Sequence, residues 1–193
     1  MPWEKSFDID ETLDKAMGLF WARGYEATSM QALVSAMGVN RGSLYDTFGD
    51  KRRLFLAALR RYDEQKRQLR LRSLEQTHSP KEAVEALFSG WTTIALEDPT
   101  RSGCFLTNTA LELAVHTEEV SELVDRSQRE TEAFFLRLIA KGQSDGSIPT
   151  TIDGPRTAAA LLATLIGLLV LARSRPEAAL LRSISDSAVA LLR

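Results

Sequence analysis

Cysteine and histidine are scarce in this sequence: one cysteine, Cys104, and two histidines, His78 and His116, stand among 193 residues. A single cysteine excludes an internal disulfide bond, and these three residues lack the close spacing that binds a metal. If one helix held both Cys104 and His116, they would lie about 18 Å apart, too far for a catalytic pair. The sequence also contains no glycine-rich phosphate loop and no serine–histidine–aspartate grouping. We therefore predict that the protein is not an enzyme and uses no metal or other cofactor.

Long apolar runs are missing as well. The longest predominantly apolar run, Ala158–Ala172, is shorter than the roughly 20 residues that span a bilayer. The first residues, MPWEKSFDIDETLDK, contain no apolar segment typical of a signal peptide. With 44% hydrophobic and 26% charged residues, the composition is that of an ordinary globular protein. We expect a cytoplasmic protein with no membrane partner.

Strand patterns are nearly absent, whereas apolar residues recur at the three- and four-residue spacing of helices throughout the chain. This predicts an all-α fold of about nine helices, in which an N-terminal three-helix domain (1–50) precedes a C-terminal helical domain (51–193). Asn40 and Asp50 are suited to cap helices, as are Ser79 with Pro80 and either Thr28 or Ser29, while Gly24, Gly38 and Gly49 are suited to end them. The predicted helices cover 10–23, two short segments around 30–37 and 41–48, a single long helix 51–76, then 80–98, 104–115, 117–143, 155–173 and 177–192.

Positive charge is concentrated in one block. The whole chain has a net charge of −2, which by itself does not indicate a nucleic-acid partner. Residues 51–72, however, hold nine basic and two acidic side chains, a net charge of +7, whereas residues 1–50 and 73–193 carry −4 and −5. Arg52 and Arg53 at the start of this block would add to a positive field. The later basic residues are expected to face solvent or to pair with acidic neighbours.

The segment that precedes this block, Met37–Phe55, has the pattern of a helix-turn-helix. Val39, Leu44 and Phe48 are spaced to point inward. The outward positions carry a glycine that allows close approach, hydroxyl groups that donate to phosphate oxygens, and an arginine that can reach the edge of guanine. Lys51 begins the next helix, where its ammonium group and the helix N-terminus both favour an anion. The outward residues are Arg41, Gly42, Ser43, Tyr45, Asp46 and Thr47.

Across Gly24–Phe55, GYEATSMQALVSAMGVNRGSLYDTFGDKRRLF, the sequence resembles the DNA-binding domain of the TetR/AcrR family of transcriptional regulators. The resemblance implies a repressor that binds a near-palindromic double-stranded operator as a homodimer and is released by a small molecule. The positions that match the family pattern are Gly24, Tyr25, Thr28, Leu33, Ala36, Gly38, Val39, Leu44, Tyr45, Phe48, Lys51 and Leu54.

The resemblance also implies roles for individual residues. Thr28 and Ser29 would touch the DNA backbone, and Tyr45 and Lys51 would hold phosphates. Asp46 departs from the aromatic or basic residue often found at its position, and it would either accept from a cytosine amine or orient Arg41. The N-terminal arm departs too, because Lys5 is outnumbered by acidic neighbours, so minor-groove contact is not expected. The predicted DNA-binding set is Thr28, Ser29, Asn40, Arg41, Gly42, Ser43, Tyr45, Asp46 and Lys51.

Helical bodies in this family enclose a ligand cavity, and the sequence offers candidate lining residues between the fifth and eighth helices. Asn108 and Glu112 are notable because, four residues apart on one helix face, they need a polar partner if buried. Cys104 is either an oxidant- or electrophile-sensing thiol at a helix N-terminus or a small buried apolar residue. The predicted pocket residues are Phe88, Trp91, Cys104, Phe105, Asn108, Leu111, Glu112 and Phe134.

The last two predicted helices carry more apolar surface than one subunit of this size would cover. A second copy of the same helix pair would cover it as a four-helix interface. The predicted interface residues are Leu161, Leu165, Leu168, Leu181 and Ile184. The function predicted from the sequence is therefore that of a dimeric, ligand-responsive DNA-binding regulator. The alternative is a helical ligand-binding or interaction protein whose head no longer binds DNA.

Overall fold

The computed structural model describes residues 7–193, and all regular structure in that range is helical. If the run from Lys51 to Thr77 is counted as one interrupted helix, this part of the chain holds nine α-helices, the number predicted. The acidic and basic residues of the N-terminal arm before Phe7 lie outside the described residues. The α-helices are α1 (Ile9–Arg23), α2 (Met30–Met37), α3 (Arg41–Phe48), α4 (Lys51–Tyr62), α5 (Leu69–Thr77), α6 (Pro80–Glu97), α7 (Phe105–Ala110), α8 (Glu118–Asp145), α9 (Gly154–Ser174) and α10 (Ala178–Ala190).

Helix ends lie where the capping residues predicted them. Ser29, Asn40 and Asp50 each accept a backbone N–H three residues on, at the starts of α2, α3 and α4. Ser79 forms a capping box with Glu82 at the start of α6. Gly38 ends α2 in the left-handed conformation, with φ of 70°, which a side chain would disfavour. These local signals set the sharp turns that hold α2 and α3 together as a helix-turn-helix.

The run predicted as one long helix is interrupted. Between α4 and α5, residues Asp63–Gln68 form a π-helix. The buried Asp63 carboxylate accepts from Arg67 Nε and from Gln68 Nε2, which lie four and five residues later. The wider turn therefore brings both donors to the same buried acid. Inserted π turns of this kind are frequent at functional sites.

The helix predicted over 104–115 is also shorter than expected. It ends at Ala110, and a 3₁₀ turn, Leu113–Val115, follows. The turn brings the His116 ring onto the Phe55 ring, with centroids 4.7 Å apart and planes 11° apart. The chain therefore leaves the helical path after Ala110, and His116 packs against α4 instead of continuing α7.

Helix α9 is buried on one side only. It packs mainly against α8, and also against α10 and α6, whereas Ala159 and Ala163 are exposed and Gly167 and Val170 are partly exposed. The 21-residue helix has a mean hydropathy of 1.9 over its most apolar stretch, so by length and composition it could cross a membrane, a test that core helices of globular proteins also pass.

Four of the five residues predicted to form the dimer interface are buried within the subunit, so the prediction is wrong for these four. Leu161, Leu168 and Leu181 are 0% exposed within the single subunit and Leu165 is 6% exposed, so their side chains are core rather than contact surface. Ile184 is partly exposed. Their helical spacing identified an apolar stripe correctly, but the stripe faces inward and the exposed face of α9 is made of smaller residues.

Candidate nucleic-acid interface and internal cavity

Helix α3 presents a polar face to solvent at the N-terminal end of the molecule. Leu44 is fully buried beneath it, Val39 is also buried and Phe48 packs partly against the core, as predicted. Arg41, Gly42 and Asp46 are exposed, and Tyr45 is 38% exposed. The predicted outward residues of this helix therefore share one accessible surface, with Ser43 and Thr47 partly exposed beside them.

The Arg41 side chain lies against Tyr45, with the guanidinium carbon 5.7 Å from the ring centroid. Asp46 forms no ion pair with Arg41 in the part of the chain that the structure describes. Of the two roles open to Asp46, the structure therefore does not show the role of orienting Arg41. The ring of Tyr45 orients Arg41 instead, by a cation–π contact.

Lys51 stands at the first turn of α4, next to this surface. Its Nζ lies 4.2 Å from the centroid of the Tyr25 ring. The ring holds the ammonium group at the N-terminus of α4, where the backbone N–H groups also favour an anion. This geometry suits a phosphate contact.

Thr28 requires a correction. Its side chain is 0% exposed, and its hydroxyl donates to the Gly24 carbonyl oxygen at 2.7 Å. It closes the loop between α1 and α2 from inside and cannot reach DNA. Ser29 is exposed and caps α2, and Asn40 caps α3 through its side-chain oxygen.

The body of the protein contains an internal cavity of about 60 Å³ between α5, α6, α7, α8 and α9, bordered also by the π-helix. Its walls are largely apolar, with Trp91 and the α9 residues Leu162, Ile166 and Leu169 among them. Two arginines, Arg67 and Arg70, also line it. Sequence reasoning missed both, because nothing in a helical pattern shows which charged residue of a basic run turns inward.

Most of the predicted pocket residues lie elsewhere. Of the predicted set, only Trp91 and Cys104 line this cavity. Phe88 and Phe134 are fully buried core residues, and Leu111 is 66% exposed. Because α7 ends at Ala110, Asn108 and Glu112 do not share a helix face. With Phe105, they border a separate void of about 10 Å³ near Trp21 and Tyr25.

Cys104 is a free, buried thiol, 6% exposed, at the start of α7. Its position on the cavity wall is compatible with a sensing thiol that a small reagent reaches through the cavity. Its low exposure and the short six-residue helix that follows are compatible with the packing role. The sensing role therefore stays a hypothesis.

The segment Ser102–Cys104 is hydrogen-bonded to α1. The indole Nε1 of Trp21, on α1, donates to the carbonyl oxygens of Ser102 and Gly103 at 3.2 and 3.1 Å. The Asn108 amide donates to the same Ser102 oxygen at 2.7 Å. The cavity wall and α1 are therefore connected through a few polar contacts.

His116 makes a second connection between the two parts. Its ring stacks on Phe55 and meets the edge of Tyr25, with centroids 5.3 Å apart. Burial lowers the pKa of His116 although the nearby carboxylates of Glu112 and Glu26 act in the opposite direction. The neutral imidazole therefore belongs to an aromatic cluster that joins α1 and α4 to the 3₁₀ turn.

Comparison with known proteins identifies the family that has this arrangement of helices. Residues 13–58 match the model of bacterial regulatory proteins of the tetR family, and residues 80–186 match a tetracyclin repressor-like C-terminal domain. The chain is 37% identical over 145 residues to the uncharacterized HTH-type transcriptional regulator YezE of Bacillus subtilis, covering 75% of this chain and 74% of that protein. It is 32% identical over 172 residues to the HTH-type transcriptional repressor ComR of Escherichia coli, covering 88% and 81%.

Among solved structures, a cysteine variant of the TetR family regulator CifR in complex with a 26-base-pair double-strand operator superposes with a TM-score of 0.84 at 30% identity, covering 97% of this chain and 98% of that one. Homodimerisation and ligand binding are typical of the family, whose members are transcriptional regulators rather than enzymes. The chain belongs to the tetR family of bacterial regulatory proteins and is a ligand-responsive, DNA-binding transcriptional regulator.

Proposed function

We propose that the protein is a cytoplasmic repressor that binds a near-palindromic operator as a homodimer and leaves it when a small molecule enters the cavity lined by Trp91. The observation that carries the proposal is the exposed surface of α3 beside Lys51. In this proposal residues 1–50 form the DNA-binding head and residues 51–193 the ligand-binding and dimerisation body.

The two heads of a dimer would place their α3 helices in successive major grooves, about 34–36 Å apart or a multiple of that distance. Arg41 would contact a base edge, while Tyr45, Lys51 and Ser29 would contact phosphates. The two kinds of contact can be distinguished by mutation. Loss of a phosphate contact weakens binding to every DNA sequence, whereas loss of a base contact changes the preference at one base position of each half-site.

The coupling between cavity and head would run through the segment Ser102–Cys104. A ligand that moves the cavity wall at Cys104 also moves the two carbonyl oxygens that hold Trp21 of α1. The shift in head position is limited by the difference in ligand affinity between the two states.

The DNA-binding role is tested with variants of the exposed surface. After selection of an operator from random-sequence DNA, Tyr45→Ala and Lys51→Ala are expected to weaken binding to every sequence. Lys51→Ala removes one phosphate contact per subunit and is expected to reduce the salt slope by about 2 for the dimer. Arg41→Ala is expected to relax preference at one base position by about 1–3 kcal/mol. Mobility-shift titrations at several salt concentrations measure both effects.

Lys141→Ala, which removes an exposed lysine from α8, is the control and should bind like the unmodified protein. If Tyr45→Ala and Lys51→Ala also bind unchanged, the assigned surface is wrong. If no operator is selected at all, the alternative of an interaction protein with an inactive head takes its place.

The dimer interface is proposed on the outer face of α9, where the small side chains of Ala159, Ala163 and Gly167 would let a second α9 approach closely. With only 33% of the most apolar stretch of this helix buried in one subunit, a second copy supplies the missing cover. The partly exposed Leu180 and Ile184 of α10, and the exposed Leu191 just after this helix, would extend the contact.

Ala163→Arg is expected to convert the dimer to a folded monomer, because it adds a charge to the proposed interface without touching the subunit core. Ala140→Arg, at an exposed alanine of α8, is the matched control and should remain dimeric. Sedimentation measures the assembly and circular dichroism the fold. A dimeric Ala163→Arg protein would place the interface elsewhere. Glutamate at Leu168 or Leu181 would not distinguish these cases, since both are buried within the subunit and the change would unfold it.

A further inference from the structure

The cavity is lined by a cationic side chain with a donor that no group in the described part of the chain satisfies. The Nη1 atom of Arg70 is buried and has no hydrogen-bond partner among residues 7–193. No carboxylate in that range forms an ion pair with the Arg70 guanidinium. A buried donor of this kind costs free energy unless something binds it.

Stacking on Trp91 sets the orientation of this guanidinium. Its central carbon lies 4.5 Å from the centroid of the Trp91 ring. Trp91 covers one side of the group without accepting a hydrogen bond in its ring plane, and no acceptor among residues 7–193 bonds to the Arg70 N–H donors. Free guanidinium donors of this kind can bind a carboxylate in a fork. Arg70 is thus held with its donors ready in a cavity that it lines together with Trp91.

Arg67, the other arginine of the cavity wall, is already fully engaged. It bonds to Asp63 and Glu130 and donates to Thr131 Oγ1 at 3.3 Å. These partners occupy the Arg67 donors. The guanidinium of the cavity wall whose donors are left for a ligand is therefore that of Arg70, with Thr107 and Gln128 as neutral polar side chains on the same wall.

We infer that the effector of this regulator is a small organic anion, a short-chain carboxylate whose oxygens bind Arg70 and whose apolar body packs against Trp91 and the leucines of α9. The cavity volume of about 60 Å³ is well below the volume of about 150 Å³ of a cavity that holds benzene, so it encloses only a few carbon atoms of such a ligand, which favours a short aliphatic chain. This inference rests on the proposed function only in that the cavity is the effector site.

The test uses the full chain without DNA and the probe pair butyrate and butyramide, which have nearly the same shape and differ in charge. We expect butyrate to raise the melting temperature and to bind at least about ten-fold more tightly than butyramide by calorimetry, because a charge-assisted bond is stronger than a neutral one. Arg70→Gln should remove this preference. Arg72→Gln, an exposed arginine two residues on, should retain it.

Several outcomes would overturn the inference: equal binding of acid and amide, binding of neither because the donor is solvated by water alone, or an unchanged preference in Arg70→Gln. If Arg70→Gln does not fold, the acid–amide comparison on the unmodified protein still decides. A protein that prefers butyrate but selects no operator would contradict the proposed function alone. One that binds an operator and ignores butyrate would contradict this inference alone.

Discussion

The Phe55→Ala variant is expected to lose about 3–5 kcal/mol of unfolding free energy, the usual cost of deleting a fully buried phenylalanine. Phe55 is 2% exposed and is the centre of the aromatic cluster that joins α1 and α4 to α7 and the 3₁₀ turn. It meets the rings of Phe20, Tyr25, Phe105 and His116, all with centroids between 4.7 and 5.4 Å away. Because a domain is stable by only about 5–15 kcal/mol, this change removes a large part of the total.

Urea unfolding at one fixed protein concentration measures the loss, since dimerisation makes the apparent stability depend on concentration. Phe134→Ala is the matched control, because it deletes an equally buried ring that packs within the body, against Phe135. Both variants should be destabilised, but at temperatures where both are folded only Phe55→Ala should also weaken operator binding. Equal operator affinity in the two variants would show that the cluster does not position the head.

The Asp63→Ala variant is expected to lose about 3–5 kcal/mol of unfolding free energy, the typical effect of removing one partner of a buried ion pair. Asp63 has a side chain 1% exposed and Arg67 one 13% exposed, so the change leaves a buried guanidinium with only Glu130 and Thr131 as partners. It also removes the acceptor for Gln68, 2.8 Å away, and with it the contacts that hold the π-helix beside the cavity.

The Asp125→Ala variant tests whether the burial of the Asp63–Arg67 pair causes the expected loss of stability. Asp125 and Arg129 form a pair at 2.7 Å with the same four-residue spacing, but both side chains are more than half exposed. Exposed pairs contribute little because water and salt screen them, so this variant should unfold almost like the unmodified protein. If both variants lose a similar amount of unfolding free energy, burial does not increase the contribution of the Asp63–Arg67 pair to stability.

Local features of the fold could be predicted because they depend on neighbours along the chain. Ser29, Asn40 and Asp50 cap helices within three residues of themselves, and the alternation of Leu44 with exposed positions follows from the turn of a single helix. The surface of α3 was therefore predictable residue by residue. Thr28 was the exception, because its hydroxyl could equally cap α2 or bond back to Gly24, and only the loop geometry decides between the two.

Features that depend on partners distant in sequence were not predictable in the same way. The apolar spacing of Leu161, Leu168 and Leu181 marks a stripe to be buried, but it does not say whether the cover comes from the same subunit or a second one. The end of α7 at Ala110 accompanies the packing of His116 against Phe55, sixty-one positions away in the sequence, and it takes Glu112 out of the helix that holds Asn108.

By itself the sequence determined the helical class, the helix-turn-helix and its exposed polar face, because capping and periodicity are short-range and their energies are decided within one or two turns. Only the tertiary structure decided which arginines of the basic run line the cavity and which of them keeps an unpaired donor. Lys51, Arg61, Arg67 and Arg70 belong to one charged block, yet one is held over Tyr25, two pair with carboxylates brought from elsewhere along the chain, and Arg70 alone of the four is stacked on Trp91 with an unpaired donor. The physical reason is that charge is a property of the residue, whereas burial and pairing are properties of the groups that folding places around it.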